Sequence, residues 1–131
     1  MIVASVVALL LVGGVATACS GSDESSDTTV APTGEAAKGL EVIRDLGCQT
    51  CHTTDGSEGV GPTFKGLAGS KVTLEGGDEV TADDEYLRTS ITDPGKQVVE
   101  GFKPIMPKRD LTDEQVDQIV AYLNSIGSSG S

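Results

Sequence analysis

Cys48-Gln49-Thr50-Cys51-His52 is the stretch on which the reading of this chain turns. Two thiols three positions apart can add to the vinyl groups on neighbouring edges of one porphyrin, and the imidazole of the next residue then falls beneath the iron. The C-x-x-C-H pattern is therefore a haem-attachment motif, with Cys48 and Cys51 as thioether partners and His52 as the proximal ligand. A redox disulfide and half a zinc site also use C-x-x-C. The first wants a strand before the motif and a βαβ setting, and the second wants four ligands. Neither requirement is met, because a helical pattern precedes the motif, the third cysteine is the distant Cys19, and His52 is the single histidine.

Working outward, Gly39, Val42, Ile43 and Leu46 recur at i, i+3, i+4 and i+7, which predicts a helix from Glu35 to Leu46 that Gly47 stops. Glycines and Pro62 enforce a loop between Gly56 and Gly69. Val72 to Thr81 reads as two short strands around the Gly76-Gly77 turn. Asp83-Asp84-Glu85 opens a second helix through Tyr86, Leu87 and Ile91 that ends before Pro94. The last helix is the most plainly signalled. Thr112 and Gln115 make a capping box, Val116, Ile119, Val120 and Leu123 form an apolar stripe, and Gly127 is expected to close it.

The 131 residues carry a net charge of -11 and no dense basic patch, which argues against a nucleic-acid partner. Two Phe, two Tyr and no Trp are thin material for a small core, so the composition itself leans toward a bound group that fills it. With Met1 lost in the expected signal, the other methionine is Met106, in the proline-stiffened Phe102-Lys103-Pro104-Ile105-Met106-Pro107 between two helices. A lone Met is often a gap-filler, but this setting favours the sixth iron ligand, with Lys103 or Lys108 as remote substitutes. His and Met together leave no open iron position and raise the reduction potential relative to two nitrogen ligands. The other ring N–H of His52 needs an acceptor, for which Pro62 in Gly59-Val60-Gly61-Pro62 offers a carbonyl; an ordinary turn proline is the alternative, and spacing does not choose.

The N-terminal eighteen residues are uncharged and apolar, too short for a typical span, and match an export signal ending in the lipobox-like Ala16-Thr17-Ala18-Cys19. The expected organisation is a lipoprotein signal over 1–18, a lipid-anchored flexible linker over 19–34, a folded domain over 35–127 and a disordered tail over 128–131. Cys19 is the expected lipidation site, holding the domain on the outer, extracytoplasmic or periplasmic face of the cytoplasmic membrane. The departure from a lipoprotein signal is the missing basic segment after Met1, and an uncleaved single span is the alternative.

Cys48 to His52, Gly61-Pro62, Met106-Pro107 and a last helix ending Ala121-Tyr122-Leu123 resemble the class I cytochromes c. That resemblance covers about Glu35 to Gly127. It implies an all-α fold of three to four helices around one covalently attached haem c, here with a short β-hairpin insertion. It also implies that the first and last helices cross near Gly39 and Tyr122, and that the Pro62 carbonyl accepts from His52. Val42 or Ile43 stands where the family often has an aromatic side chain, which predicts a looser crossing. A narrower similarity runs through Gly61 to Leu67, the hairpin, Tyr86-Leu87-Arg88 and Val98 to Pro107. It is to the cytochrome c domain fused to subunit II of some bacterial haem-copper oxidases, and to cytochromes of alternative quinol-oxidising complexes. The sequence carries neither the membrane helices nor the copper domain of such a subunit, so a free-standing relative or a small subunit is expected.

Three functions compete. The first is a single-electron shuttle, not an enzyme, whose redox partners are a quinol-oxidising complex and a terminal oxidase. The second is a permanent haem subunit of a respiratory complex, and the third a haem enzyme such as a peroxidase, for which no spare His serves as distal base. Lys65, Lys71, Lys96, Lys103, Lys108 and Arg109 belong to segments expected to wrap the haem and suggest a basic docking rim. Scattered solvated lysines balanced by Glu75, Asp78, Glu79 and Glu100 explain them equally well.

Overall fold

The computed structural model describes residues 31–127. The expected signal over 1–18, Cys19, most of the linker over 19–34 and the tail over 128–131 lie outside the described residues. Helix α1 (Glu35–Asp45) has Glu35 in its first turn and Arg44 in its last, charges that complement the helix dipole. It ends where the sequence says: Gly47 takes a left-handed φ of 69°, and its N–H donates to the Arg44 carbonyl. The chain then winds at once into a short 3-10 turn, Cys48–Thr50, which sequence periodicity does not foretell.

The second element is a two-stranded antiparallel hairpin, β1 (Lys71–Thr73) and β2 (Glu79–Thr81), with Val72 opposite Val80. Gly76 and Gly77 turn it with φ of 101° and 91°, values a side-chain-bearing residue rarely adopts. Its role lies on its other side. Leu74 bridges Val99, the Glu75 N–H donates to the Val98 carbonyl at 2.8 Å, and the Glu100 N–H donates to Thr73 at 2.9 Å. The hairpin thus moors the loop that leads to Met106.

Helix α2 (Asp84–Thr92) is capped by Asp83, whose carboxylate accepts from the Tyr86 N–H at 2.9 Å. Helix α3 (Asp113–Gly127) begins with the reciprocal box, Gln115 N–H to Thr112 Oγ1 at 3.2 Å and Thr112 N–H to Gln115 Oε1 at 3.0 Å. Arg88 pairs with Asp117, and the Asn124 amide donates to Asp84, tying α2 to α3.

Helices α1 and α3 cross at Gly39. A Cβ there would lie 1.9 Å from the Gln118 carbonyl oxygen and 3.0 Å from Tyr122 Cβ, so only glycine permits the approach. On the same helix Ile43 is entirely buried, and Val42 packs partly buried against the core. Gln118 joins the seam, donating to Glu35 at 3.1 Å and Glu114 at 3.2 Å. Gly127 is the last residue of α3 rather than a left-handed stop after it. Its value is space, since a Cβ would meet Ala68 Cβ at 2.7 Å and the Ala68 carbonyl oxygen at 2.9 Å. The core joins Ile43 to Phe64, Val72, Tyr86, Leu87, Val116, Ile119, Val120, Tyr122 and Leu123. No helix among the described residues is long and apolar enough to cross a membrane.

Candidate haem crevice

His52 is held by a loop folded back beneath its own motif. Its N–H donates to the Cys48 carbonyl at 3.0 Å, which continues the helical turn and keeps both thiols and the imidazole on consecutive steps of one winding. The chain then leaves, reverses and returns: the Gly61 N–H donates to Cys51 at 2.9 Å, and the Phe64 N–H donates to Thr53 at 2.7 Å, with the Thr63 hydroxyl sharing that acceptor at 3.2 Å. These bonds deliver the Pro62 carbonyl to 2.7 Å from His52 Nδ1. A carbonyl only accepts, so Nδ1 must carry the proton and Nε2 the lone pair. The two readings of Pro62 left open by the sequence are thereby distinguished in favour of the acceptor.

Gly61 makes this geometry possible. A Cβ there would sit 2.6 Å from His52 Cε1 and 2.9 Å from Nδ1. Phe64 stacks on the imidazole with ring centroids 4.6 Å apart and planes inclined by 10°. Burial pushes the His52 pKa below its ordinary value, and the Pro62 hydrogen bond opposes that only in part. A neutral imidazole of fixed tautomer is what a metal requires of histidine.

Cys48 and Cys51 are free, half-buried thiols. Burial raises the Cys48 pKa, against a smaller lowering by its own backbone and by Arg109. No group of three or more His, Cys, Asp or Glu side chains among the described residues is arranged to hold a metal ion.

All five expected site residues of the folded domain line one cavity of about 430 Å³: Cys48, Cys51, His52, Pro62 and Met106. That volume lies in the range of roughly 300–1,000 Å³ usual for cofactor pockets. Its walls come from the inner faces of all three helices and from the Met106 loop. Met106 is 39% exposed, at the rim rather than in the core, which is where a gap-filler does not belong. Lys103 and Arg109 also line the cavity, whereas Lys108 is not among its lining residues. Of the supposed basic rim, Lys71 is 3.7 Å from Glu79 and is offset by it.

Sequence reasoning missed three features. The Phe64 stack has no local signal. Ser90 was legible, falling with Tyr86, Leu87 and Ile91 on the buried side of α2. Gln97 lies in a loop without periodicity; it and Ser90 are among the lining residues, and each carries a buried oxygen without a hydrogen-bond partner. The thiols, the lone-pair-bearing imidazole and the largely apolar walls fit a flat apolar group with a metal centre.

The arrangement defines a class: a helical protein with a crevice built around one haem, the thiols and imidazole contributed by a single turn. Residues 36–127 match the cytochrome c family, and the chain belongs to that family. It is an electron-transfer protein with one covalently bound haem c. Among solved structures it is similar to cytochrome cH from Methylobacterium extorquens, at 35% identity and a TM-score of 0.52 over 70% of this chain and 98% of that one. Comparison with curated proteins returned no match.

Proposed function

We propose that this chain is a lipid-anchored, extracytoplasmic monohaem cytochrome c that carries single electrons between respiratory complexes, toward a terminal oxidase. In this reading Cys48 and Cys51 would form the thioethers, and His52 and Met106 would hold the iron. The bound haem supplies a one-electron iron couple. The observation that carries the assignment is the His52–Pro62 hydrogen bond, which directs the Nε2 lone pair away from the loop while Met106 lines the same cavity. Pro62 holds the imidazole in one tautomer and orientation, so little reorganisation accompanies a change of iron charge. The largely apolar walls would hold the faces of the group, and His52, the single histidine of the sequence, is committed to Pro62 and to the iron in this reading.

Partner and location rest on other grounds. The similarity of Gly61 to Leu67 and of Val98 to Pro107 to domains fused to oxidase subunit II supports an oxidase-directed electron path. Cys19 after a lipobox-like segment supports anchoring through a lipid. The first experiment is an oxidised and reduced optical spectrum with a pyridine haemochrome. A c-type haemochrome and a sulfur-to-iron charge-transfer band are expected, and carbon monoxide binding without that band would remove Met106 from the iron. For the anchor, mass spectrometry of the native protein is expected to find diacylglycerol on Cys19. Release of the protein from membranes by salt alone would refute the anchor.

A further inference from the structure

The imidazole of His52 is gripped from one short segment, 61–64. The Gly61 N–H donates to the carbonyl of Cys51 and the Phe64 N–H to that of Thr53, so the two residues flanking His52 in sequence each fasten one end of that loop. The Thr63 hydroxyl adds a second bond to Thr53 at 3.2 Å. Between those ends the loop makes two different contacts with the ring. Pro62 meets its edge, at Nδ1, while Phe64 lies along its plane, with the two rings inclined by 10° and centred 4.6 Å apart. The two contacts restrain different motions. A hydrogen bond keeps most of its strength over a departure of about 30° from linearity, so the carbonyl selects the tautomer and the general direction of the N–H but leaves a range of ring angles. A stacked face tolerates less, because turning the imidazole drives one of its edges into the neighbouring ring. Phe64 has little room to give way. Its side chain is buried in the core that also holds Ile43, Ile119 and Leu123, and its backbone is tied to Thr53.

We propose that Phe64 is the positioning residue that fixes the angle of the His52 plane about its bond to iron. This role rests on the reading of His52 as an iron ligand given above, and Phe64 exerts it through His52. The angle has an electronic consequence, because the π orbitals of an imidazole are directional. The ring plane helps to decide which opposite pair of pyrroles shares the unpaired electron of oxidised low-spin iron, and hence where on the haem edge an incoming electron is received. Pro62 then sets the tautomer and Phe64 the angle, two properties of one ligand divided between neighbours in one loop.

The test uses the holoprotein in both oxidation states. In the reduced, diamagnetic state, proton NMR is expected to show nuclear Overhauser contacts between the ring protons of Phe64 and those of His52. In the oxidised state the paramagnetic shifts of the haem methyl groups report the ligand-plane angle, which is expected to leave the two rings near the 10° inclination seen here. A crossed arrangement of the rings would overturn the inference. Phe64→Leu removes the aromatic face but keeps an apolar side chain, and Phe64→Tyr retains the face. The leucine variant is expected to shift the haem methyl pattern while the reduced-state Met106 methyl signal stays as in the parent, and the tyrosine variant to keep the parent pattern. A role confined to filling the core would lower the unfolding midpoint of Phe64→Leu and leave the methyl pattern alike in all three proteins, which would also overturn the inference. Crossed rings in a protein with a normal c-type haemochrome defeat only the role of Phe64, whereas a native protein lacking covalent haem defeats the cofactor reading beneath it.

Discussion

Replacing Gly61 by alanine puts a single methyl group against the face of the candidate iron ligand, and the structure sets the size of the response. The added Cβ would stand 2.6 Å from His52 Cε1, where ordinary contact begins near 3.4 Å. Something must yield by about 0.8 Å, and a stacked Phe64 limits the ring's own freedom to move. Moving the ring or the loop by that amount stretches the 2.7 Å bond to Pro62 to about the limit of a hydrogen bond. Overpacking costs about 1–3 kcal/mol and the weakened hydrogen bond about 1 kcal/mol, so Gly61→Ala should lose about 2–4 kcal/mol. Gly95→Ala is the matched control, because a Cβ there meets nothing within 4 Å and its φ is not in the left-handed region. The assay is guanidinium unfolding of the two holoproteins, followed by the Soret band and by circular dichroism. A released imidazole also predicts that Gly61→Ala titrates or loses its native ligand spectrum at milder conditions than the control. Equal midpoints and equal spectra for the two variants would refute the close-approach argument.

Met106→Ala should abolish the sulfur-to-iron band, lower the reduction potential and admit carbon monoxide, checked by near-infrared spectra and voltammetry; an unchanged band would assign the ligand elsewhere. Gly39→Ala, with its Cβ 1.9 Å from the Gln118 carbonyl, should separate α1 from α3 and cost at least about 3 kcal/mol in denaturant unfolding. Glu35 has a pKa below its ordinary value, first through its hydrogen bond from Lys38 and then through that from Gln118. A carboxylate depressed in the folded state contributes stability above its unfolded pKa and loses it as pH falls through the folded value, so Glu35→Gln should flatten the acid limb of the stability curve below about pH 4.5. A limb identical in slope would show that these exposed contacts contribute nothing.

How much of this was legible depended on the distance over which each feature is encoded. The capping box at Thr112 and Gln115, the acidic start of α2 at Asp83 and the Gly47 stop are written within four residues, and each appears where its pattern places it. The hairpin was legible for the same reason, its Gly-Gly turn lying between two β-branched runs. Its function was not, because the bridge from Leu74 to Val99 joins segments about 25 residues apart. Gly127 shows a local rule giving the right residue for the wrong cause. The rule assigns a terminal glycine to a left-handed cap, yet here the demand is steric and comes from Ala68, almost sixty residues away. The motif at Cys48 named the chemistry, but its working geometry is completed by Pro62 and Phe64, which local spacing does not couple to His52.

The same distinction separates the two candidate ligands in how firmly the fold holds them. His52 is fixed by its own helical turn, by Pro62 through a 2.7 Å bond, by Phe64 through stacking and by Gly61 through excluded space. Met106 lies on a loop whose backbone is moored chiefly upstream, where Val98 and Glu100 bond the hairpin. Thermal or chemical stress should therefore release the sulfur before the imidazole, since local opening follows the weaker set of contacts. A substitution in the hairpin far from the iron, such as Leu74→Ala, should weaken the Met106 loop and leave His52 in place. The hairpin is then part of the electron-transfer site through the chain it restrains, although no residue of β1 or β2 lines the crevice.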